Sequence, residues 1–166
     1  MNIIRKYAIQ FEEGISYGED GLFVFDYLKK CDGLVYKDIP LWNILTRLNS
    51  ATSIAYNHKF LTAIDALDVM INRPNNTYEI KQGLIKYSIF RIEGLLTIVI
   101  KSDYKKNYAD ILFLRKKLKY SMNALESASL AQYIKYQLYE YMPLVLMKYI
   151  LSFAGNIKHK VFKKNS

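Results

Sequence analysis

The chain has 166 residues, about half of them apolar, so it can form one domain or a small domain with a tail. Its single cysteine, Cys31, excludes an internal disulfide framework, and the spacing of Cys and His fits no zinc site. No run reaches the roughly 18 uninterrupted apolar residues of a membrane-spanning helix, and Met1–Phe11 lacks the apolar core of a signal peptide. We therefore expect a protein of the reducing cytoplasm.

The net charge of +9 is unevenly distributed along the chain. Residues 1–75 contain 8 Lys and Arg against 9 Asp and Glu, a balance of −1. Residues 76–166 contain 16 against 6, a balance of +10. Because all the excess positive charge lies in the second half, we expect the two halves to meet different partners.

The N-terminal third of the chain predicts short, mixed elements. A helix end is expected at Met1–Tyr7 and a short strand at Ala8–Phe11. An apolar helix is predicted at Gly18–Lys30, and because it is apolar on every side we expect it to be buried. Leu34–Leu45 is predicted to be extended, with Pro40 excluding a central, fully paired strand.

Two carboxylates, those of Glu19 and Asp20, stand at the start of the apolar helix. Ser16 and Glu19 fit the S-x-x-E capping box, in which both side chains satisfy backbone donors of the first turn. Acidic side chains at this position also complement the helix dipole. A functional interpretation is equally open, in which one carboxylate caps the helix and the other faces a cleft as a base. The two interpretations are compatible.

The rest of the chain predicts helices joined by short links. Ser50, Thr52 or Ser53 is a candidate cap for the first of them. The helices are expected at Asn57–Ile71, Tyr78–Lys101, Lys105–Tyr120, Ser127–Tyr141 and Pro143–Ala154. Their lengths and short links indicate an antiparallel helical bundle. The predicted fold is therefore mainly α, with a small α/β part at about residues 1–55 followed by the bundle.

Two runs of sequence carry a resemblance to a known family. They read IQFEEGISYGEDGLFVFDYL (Ile9–Leu28) and VYKDIPLWNILTRLNSAT (Val35–Thr52). In this order and spacing they resemble the end of the catalytic domain of family 2 (GT-A) glycosyltransferases, in particular those of bacterial surface-polysaccharide clusters. The resemblance covers roughly the first third of the chain. It implies that residues 1–56 are the C-terminal edge of a GT-A-like domain, followed by a helical bundle at 57–155 and a basic tail at 156–166.

The resemblance also assigns roles to the acidic pair. It puts Asp20 where this family has the base that deprotonates the acceptor hydroxyl. Glu19 then lies beside the base and holds the acceptor or the loop.

Four further residues are substrate-binding candidates. Arg47, Asn49 and Ser50 match the R-x-N-S motif of the family, where an arginine would contact the donor diphosphate or shape the acceptor side. A solvated loop whose Asn and Ser cap the next helix explains the same residues nearly as well. Trp42 would stack on a sugar ring or fill the core, and we favour the core.

Two parts that a sugar transfer needs are missing from the sequence. It has no D-x-D to ligate a metal, since Asp65 and Asp68 are spaced D-x-x-D, and no Gly-rich loop between a strand and a helix to bind a nucleotide. The resemblance therefore implies the C-terminal fragment of an inverting glycosyltransferase that is inactive alone. The complete enzyme would use a nucleotide-sugar donor, a glycan or lipid-linked acceptor, and Mg or Mn.

Two other classes of function remain open. The basic, tyrosine-rich second half could bind nucleic acid through lysine–phosphate contacts and stacking. No RNP, KH or helix-turn-helix signature supports this, and the tyrosines recur at helical spacing, so we expect no nucleic-acid partner. The chain could also be a non-catalytic helical interaction protein whose acidic pair is only a cap.

The C-terminal end combines an apolar helix with a basic tail. Met142–Ala154 is nearly all apolar but too short to cross a bilayer. Five basic residues follow it: Lys158, His159, Lys160, Lys163 and Lys164. Residues 142–164 are therefore typical of a segment that lies on an anionic membrane surface, here the inner face of the plasma membrane. The alternative is that the helix closes the bundle and the lysines form a solubilising tail.

Overall fold

The computed structural model describes residues 2–35, 37–39 and 55–153, and this part of the chain is helical. The elements are α1 (Ile3–Lys6), α2 (Glu19–Leu28), a 3-10 helix (His58–Leu61), α3 (Thr62–Asn72), α4 (Tyr78–Lys101), α5 (Tyr108–Ala124) and α6 (Leu130–Tyr141). Residues 144–153, here called the C-terminal segment, are also helical. No helix among the described residues is long and apolar enough to span a membrane.

The helices predicted after residue 57 are confirmed, with ends that differ by a few residues. Asn57 caps the 3-10 helix with its side chain, so the prediction of Ser50, Thr52 or Ser53 as the cap was wrong. Thr77 caps α4, and Ser129 with Gln132 forms a capping box at the start of α6. Hydroxyl and amide side chains take these positions because they accept from orphan amides of the first turn.

The strand predicted at Ala8–Phe11 is wrong, since these residues are irregular. Of the stretch Leu34–Leu45, which was predicted to be extended, residues 34, 35 and 37–39 are described, and they form no strand. At Ala8 the backbone has φ of 50°, and the amide of Ile9 turns back to the carbonyl of Ile4 at 3.1 Å. A strand needs a neighbour for its backbone groups. No strand forms among the described residues of the predicted α/β part.

The chain divides into two compact units, an N-terminal unit of residues 1–70 and a C-terminal unit of residues 71–166. In the N-terminal unit, the start of α2 packs closely against α3. Its buried apolar side chains are Leu22, Leu61, Ala63, Ile64, Ala66, Leu67 and Met70. This division does not test whether residues 1–56 are the edge of a larger catalytic domain, and that relation stays a prediction.

Helix α2 is not the buried helix that its composition predicted. Leu22 is its only buried residue, whereas Val24 and Leu28 are exposed. Phe23 is partly covered by Phe11, whose ring stacks on it at 4.6 Å between centroids. Helix α2 therefore buries Leu22 fully, covers Phe23, Phe25 and Tyr27 in part, and leaves Val24 and Leu28 open.

The C-terminal unit is a three-helix core with the C-terminal segment added. Gln82, near the start of α4, bonds to the carbonyl of Ala124 and the amide of Glu126 at the end of α5, so α4 and α5 run antiparallel. Helix α6 pairs with α4 in the same direction, through Lys135 with Glu93 and Tyr139 with Thr97. The core residues are mainly Ile and Leu of α4 and α5, namely Ile85, Ile89, Ile92, Leu95, Leu96, Ile100, Ile111, Leu114 and Leu118.

Candidate functional site at the start of helix α2

The acidic pair lies where helix α2 begins, as predicted. Gly18 is the N-cap residue, in the left-handed conformation with φ of 83°, and it makes no side-chain cap bond because it has no side chain. Glu19 and Asp20 are the first two helical residues. The carbonyl of Gly18 accepts from the amide of Leu22 at 3.0 Å, which closes the first turn.

The predicted capping box of Ser16 and Glu19 is wrong. The left-handed turn at Gly18 makes the glycine the cap, so Ser16 lies two residues before it. The backbone amide of Ser16 instead donates to the hydroxyl of Thr62 in α3 at 3.1 Å. Glu19 therefore does not take part in reciprocal capping, the role that would have explained the acidic pair as purely structural.

Two tertiary contacts fix this turn on α3. The amides of Ser16 and Tyr17 both donate to Oγ1 of Thr62, at 3.1 and 3.0 Å, while that hydroxyl donates to the carbonyl of Lys59 at 2.8 Å. One hydroxyl thus acts as donor once and acceptor twice, its full capacity. The ring of Tyr17 also meets the ring of Phe60 edge-on, at 4.4 Å between centroids.

Gly18 lies so close to α3 that a side chain there would be crowded. A Cβ on Gly18 would lie 3.2 Å from the Cβ of Ala66 and 3.4 Å from the Cα of Ala63. Only glycine combines this close approach with the positive φ at low cost. The small residues of α3 therefore set the position from which the acidic pair projects.

The two carboxylates differ in exposure. Glu19 is partly buried, and Asp20 is exposed. Oδ1 of Asp20 accepts from the amide of Gly21 at 2.7 Å. Both acidic side chains stand at the positive end of the helix dipole, with which a negative charge interacts favourably. The arrangement is a fixed backbone turn that presents a carboxylate to solvent.

The described residues contain no group of three or more His, Cys, Asp and Glu side chains that could hold a metal ion. Asp65 is exposed and Asp68 partly buried on α3. The substrate-binding candidates Trp42, Arg47, Asn49 and Ser50 lie outside the described residues.

Sequence reasoning missed Thr62 and Phe60. Neither residue belongs to a motif, and Thr62 lies 46 residues from Ser16 along the chain. The nearest signal in the sequence was the spacing of two small residues, Ala63 and Ala66, at the start of a predicted helix. Small side chains at this spacing allow another backbone to pack closely against the helix.

No protein-family model matches the sequence, and neither the curated proteins nor the solved structures contain a match to it.

Proposed function

We propose that this chain is the C-terminal part of an inverting glycosyltransferase, in which Asp20 is the base for the acceptor hydroxyl. One observation carries the proposal: the turn before Asp20 is fixed on α3 by Thr62 and by the close approach of Gly18, while Asp20 itself is exposed. The motif resemblance of Ile9–Leu28 and Val35–Thr52 supplies the reaction class.

A general base needs a fixed position and an open approach for the group it deprotonates. Here the backbone of Ser16 and Tyr17 is tied to α3, and Asp20 follows within one turn of α2. As a base, the Asp20 carboxylate takes the proton of an acceptor hydroxyl. The hydroxyl oxygen bonds to the anomeric carbon of the donor sugar, and the bond to the diphosphate breaks with its electron pair on the departing nucleotide. Glu19 would orient the acceptor or the turn.

The substrates of this proposal are a nucleotide-sugar donor and a polysaccharide or lipid-linked acceptor. The nucleotide, and the Mg or Mn that takes up the charge of the departing diphosphate, would be bound by a domain preceding this chain. We therefore expect the 166-residue chain alone to show no transfer with any nucleotide sugar.

The test begins with the coding region upstream of this sequence. We expect it to encode a nucleotide-binding domain with a D-x-D motif, in frame with residues 1–166. In that complete protein, Asp20→Asn should lower turnover by about 10²-fold or more while donor binding is nearly unchanged, because a lost base affects the chemical step.

Asp65→Asn is the matched control, since Asp65 is an exposed carboxylate on α3 in the same unit. It should leave turnover unchanged. Equal effects of the two substitutions, or an equal loss of donor affinity in Asp20→Asn, would contradict the role of Asp20 as base. An upstream region without a nucleotide-binding domain would favour the alternative of a non-catalytic interaction protein.

A further inference from the structure

The C-terminal segment is attached to the bundle along one face only. Met147 is buried, and Leu144, Lys148 and Leu151 are partly buried on the same side. The outward residues are nevertheless apolar or aromatic: Val145, Leu146, Tyr149, Ile150 and Phe153 are all exposed. Tyr149 and Phe153, one turn apart, retain 73% and 70% of their accessible surface. The exposed side of an ordinary surface helix carries polar residues instead.

Two polar contacts fix the segment in place. Lys148 donates to the carbonyl of Ser102 at 3.3 Å, and its ammonium group lies 5.5 Å from the ring centre of Tyr104. Arg115 of α5 donates to the carbonyl of Met142, just before the segment begins, at 3.0 Å. The lysine in the middle of this apolar helix therefore faces the bundle. This orientation turns Tyr149 and Phe153 outward.

The exposed apolar surface continues from the segment onto α6. Leu146 shares an open groove with residues of α6 and of the junction between the two helices. The groove is lined by Tyr133, Ile134, Gln137, Leu138, Tyr141, Met142, Pro143 and Leu146. Most of these side chains are exposed, including Tyr133, Ile134, Leu138 and Tyr141. We call the groove together with Tyr149, Ile150 and Phe153 the C-terminal face.

We propose that the C-terminal face lies on an anionic lipid surface. Apolar side chains mixed with several tyrosines suit the boundary between headgroups and acyl chains, because tyrosine has an apolar ring and a polar tip. The charge is complementary: residues 76–166 carry 16 Lys and Arg against 6 Asp and Glu, and Lys158, Lys160, Lys163 and Lys164 follow the segment in sequence. Basic residues beside an apolar surface strengthen attachment to anionic lipid.

The same charge opposes a second copy of this chain as the occupant. Pairing two C-terminal faces would bring together two copies of residues 76–166, and each copy carries a net balance of +10 over its whole length. Like charges across an interface oppose association. An anionic surface removes that repulsion and covers the apolar side chains at the same time. This proposal is independent of glycosyl transfer, and its test measures only lipid binding by the chain.

The test is co-sedimentation of the 166-residue chain with vesicles. One set is phosphatidylcholine alone, and the other is equal parts phosphatidylcholine and phosphatidylglycerol. We expect binding to the second set, weakened by high salt, because surface charges are screened. Removing residues 156–166 should weaken it too. The double substitution Tyr149→Ser with Phe153→Ser should lower the partition coefficient at least about tenfold, since it removes two apolar side chains from the contact.

The matched control is Tyr87→Ser with Phe90→Ser, which removes the same two residue types from exposed positions on α4. Circular dichroism should show all variants folded, since every substituted side chain is exposed, and the control should bind vesicles like the unchanged chain. Equal losses in both double variants would overturn the proposal. So would failure to bind either vesicle, or a dimer in analytical ultracentrifugation that Tyr149→Ser with Phe153→Ser converts to monomer.

Discussion

The ammonium group of Lys135 lies 2.6 Å from Oε2 of Glu93 and joins α6 to α4. Glu93 keeps only 8% of its side-chain surface accessible, whereas Lys135 keeps 56%. Oε1 of Glu93 is buried and has no hydrogen-bond partner among the residues that the structure describes. The pair therefore consists of a buried carboxylate and a lysine that reaches it from the surface.

Lys135→Met should lower the free energy of unfolding by about 1–3 kcal/mol, because it leaves a buried carboxylate without its cation. Urea denaturation followed by circular dichroism measures the change. Lys119→Met, at an exposed lysine of α5, is the control and should change stability little. Adding Glu93→Gln to Lys135→Met should recover part of the loss, since no uncompensated charge then remains. A Lys135→Met protein as stable as Lys119→Met would show that the ion pair contributes nothing.

Comparing Gly18→Ala with Gly14→Ala separates the cost of a left-handed backbone from the cost of crowding by a neighbouring residue. Both glycines have positive φ, 83° and 82°, but only at Gly18 does an added Cβ meet another residue, namely Ala66 at 3.2 Å. Each substitution should cost about 1–2 kcal/mol of stability for the left-handed backbone. Gly18→Ala should lower stability more than Gly14→Ala, because α3 must also shift to make room for the added Cβ. Thermal unfolding of the two variants measures the difference, and equal costs would show that the contact with Ala66 is not restrictive.

Thr62→Val tests the attachment of the acidic turn. The substitution keeps the shape of the side chain but removes the acceptor for the amides of Ser16 and Tyr17. Both amides should then exchange faster in hydrogen-exchange measurements by NMR, because they lose their protein partner. Thr62→Ser retains the hydroxyl and should keep most of the protection. Unchanged exchange in Thr62→Val would mean that the turn is held by other contacts.

The alkaline side of the stability curve should depend on Tyr136. Burial raises the pKa of the Tyr136 phenol above its usual range, and the charge of Glu140 adds to the shift. A pKa raised by folding contributes stability that is present below the unfolded pKa of about 10 and is lost as the pH rises through the folded value. The Tyr136→Phe variant should therefore lose less stability than the unchanged chain when the pH rises above about 10. Tyr133→Phe, at an exposed tyrosine on the same helix, is the control. Parallel stability curves for Tyr136→Phe and the unchanged chain would contradict this assignment.

Much of the helical fold could be predicted from the sequence, because the signals for a helix lie within a few residues of each other. The apolar spacing from Tyr78 to Lys101 predicted α4 with the ends that the structure shows. The gap that the predicted helices leave between Ile71 and Tyr78 separates α3 from α4 in the structure. The acidic pair was also located correctly at the start of a helix. Predicting these features requires only the local apolar periodicity and a signal that ends a helix.

The interpretations that failed concern how elements meet. Apolar composition predicted a buried α2, but only Leu22 finds a partner surface close enough to bury it. Ser16 matched a capping box, but the left-handed backbone of Gly18 and the hydroxyl of Thr62 satisfy that turn differently. A short strand was predicted at Ala8–Phe11, but a strand needs neighbours that the described residues do not supply.

The sequence by itself determined the helices after residue 57 and the unequal distribution of charge, since each depends on residues near one another in the chain. Tertiary structure decided which surfaces those helices bury. It turned Lys148 toward Ser102 and so left Tyr149 and Phe153 outside, and it placed Thr62 beneath the turn that presents Asp20. The surroundings of a side chain depend on contacts between residues that lie dozens of positions apart in the sequence. A single hydroxyl or a single missing Cβ is enough to decide which of the structures compatible with a local sequence pattern forms.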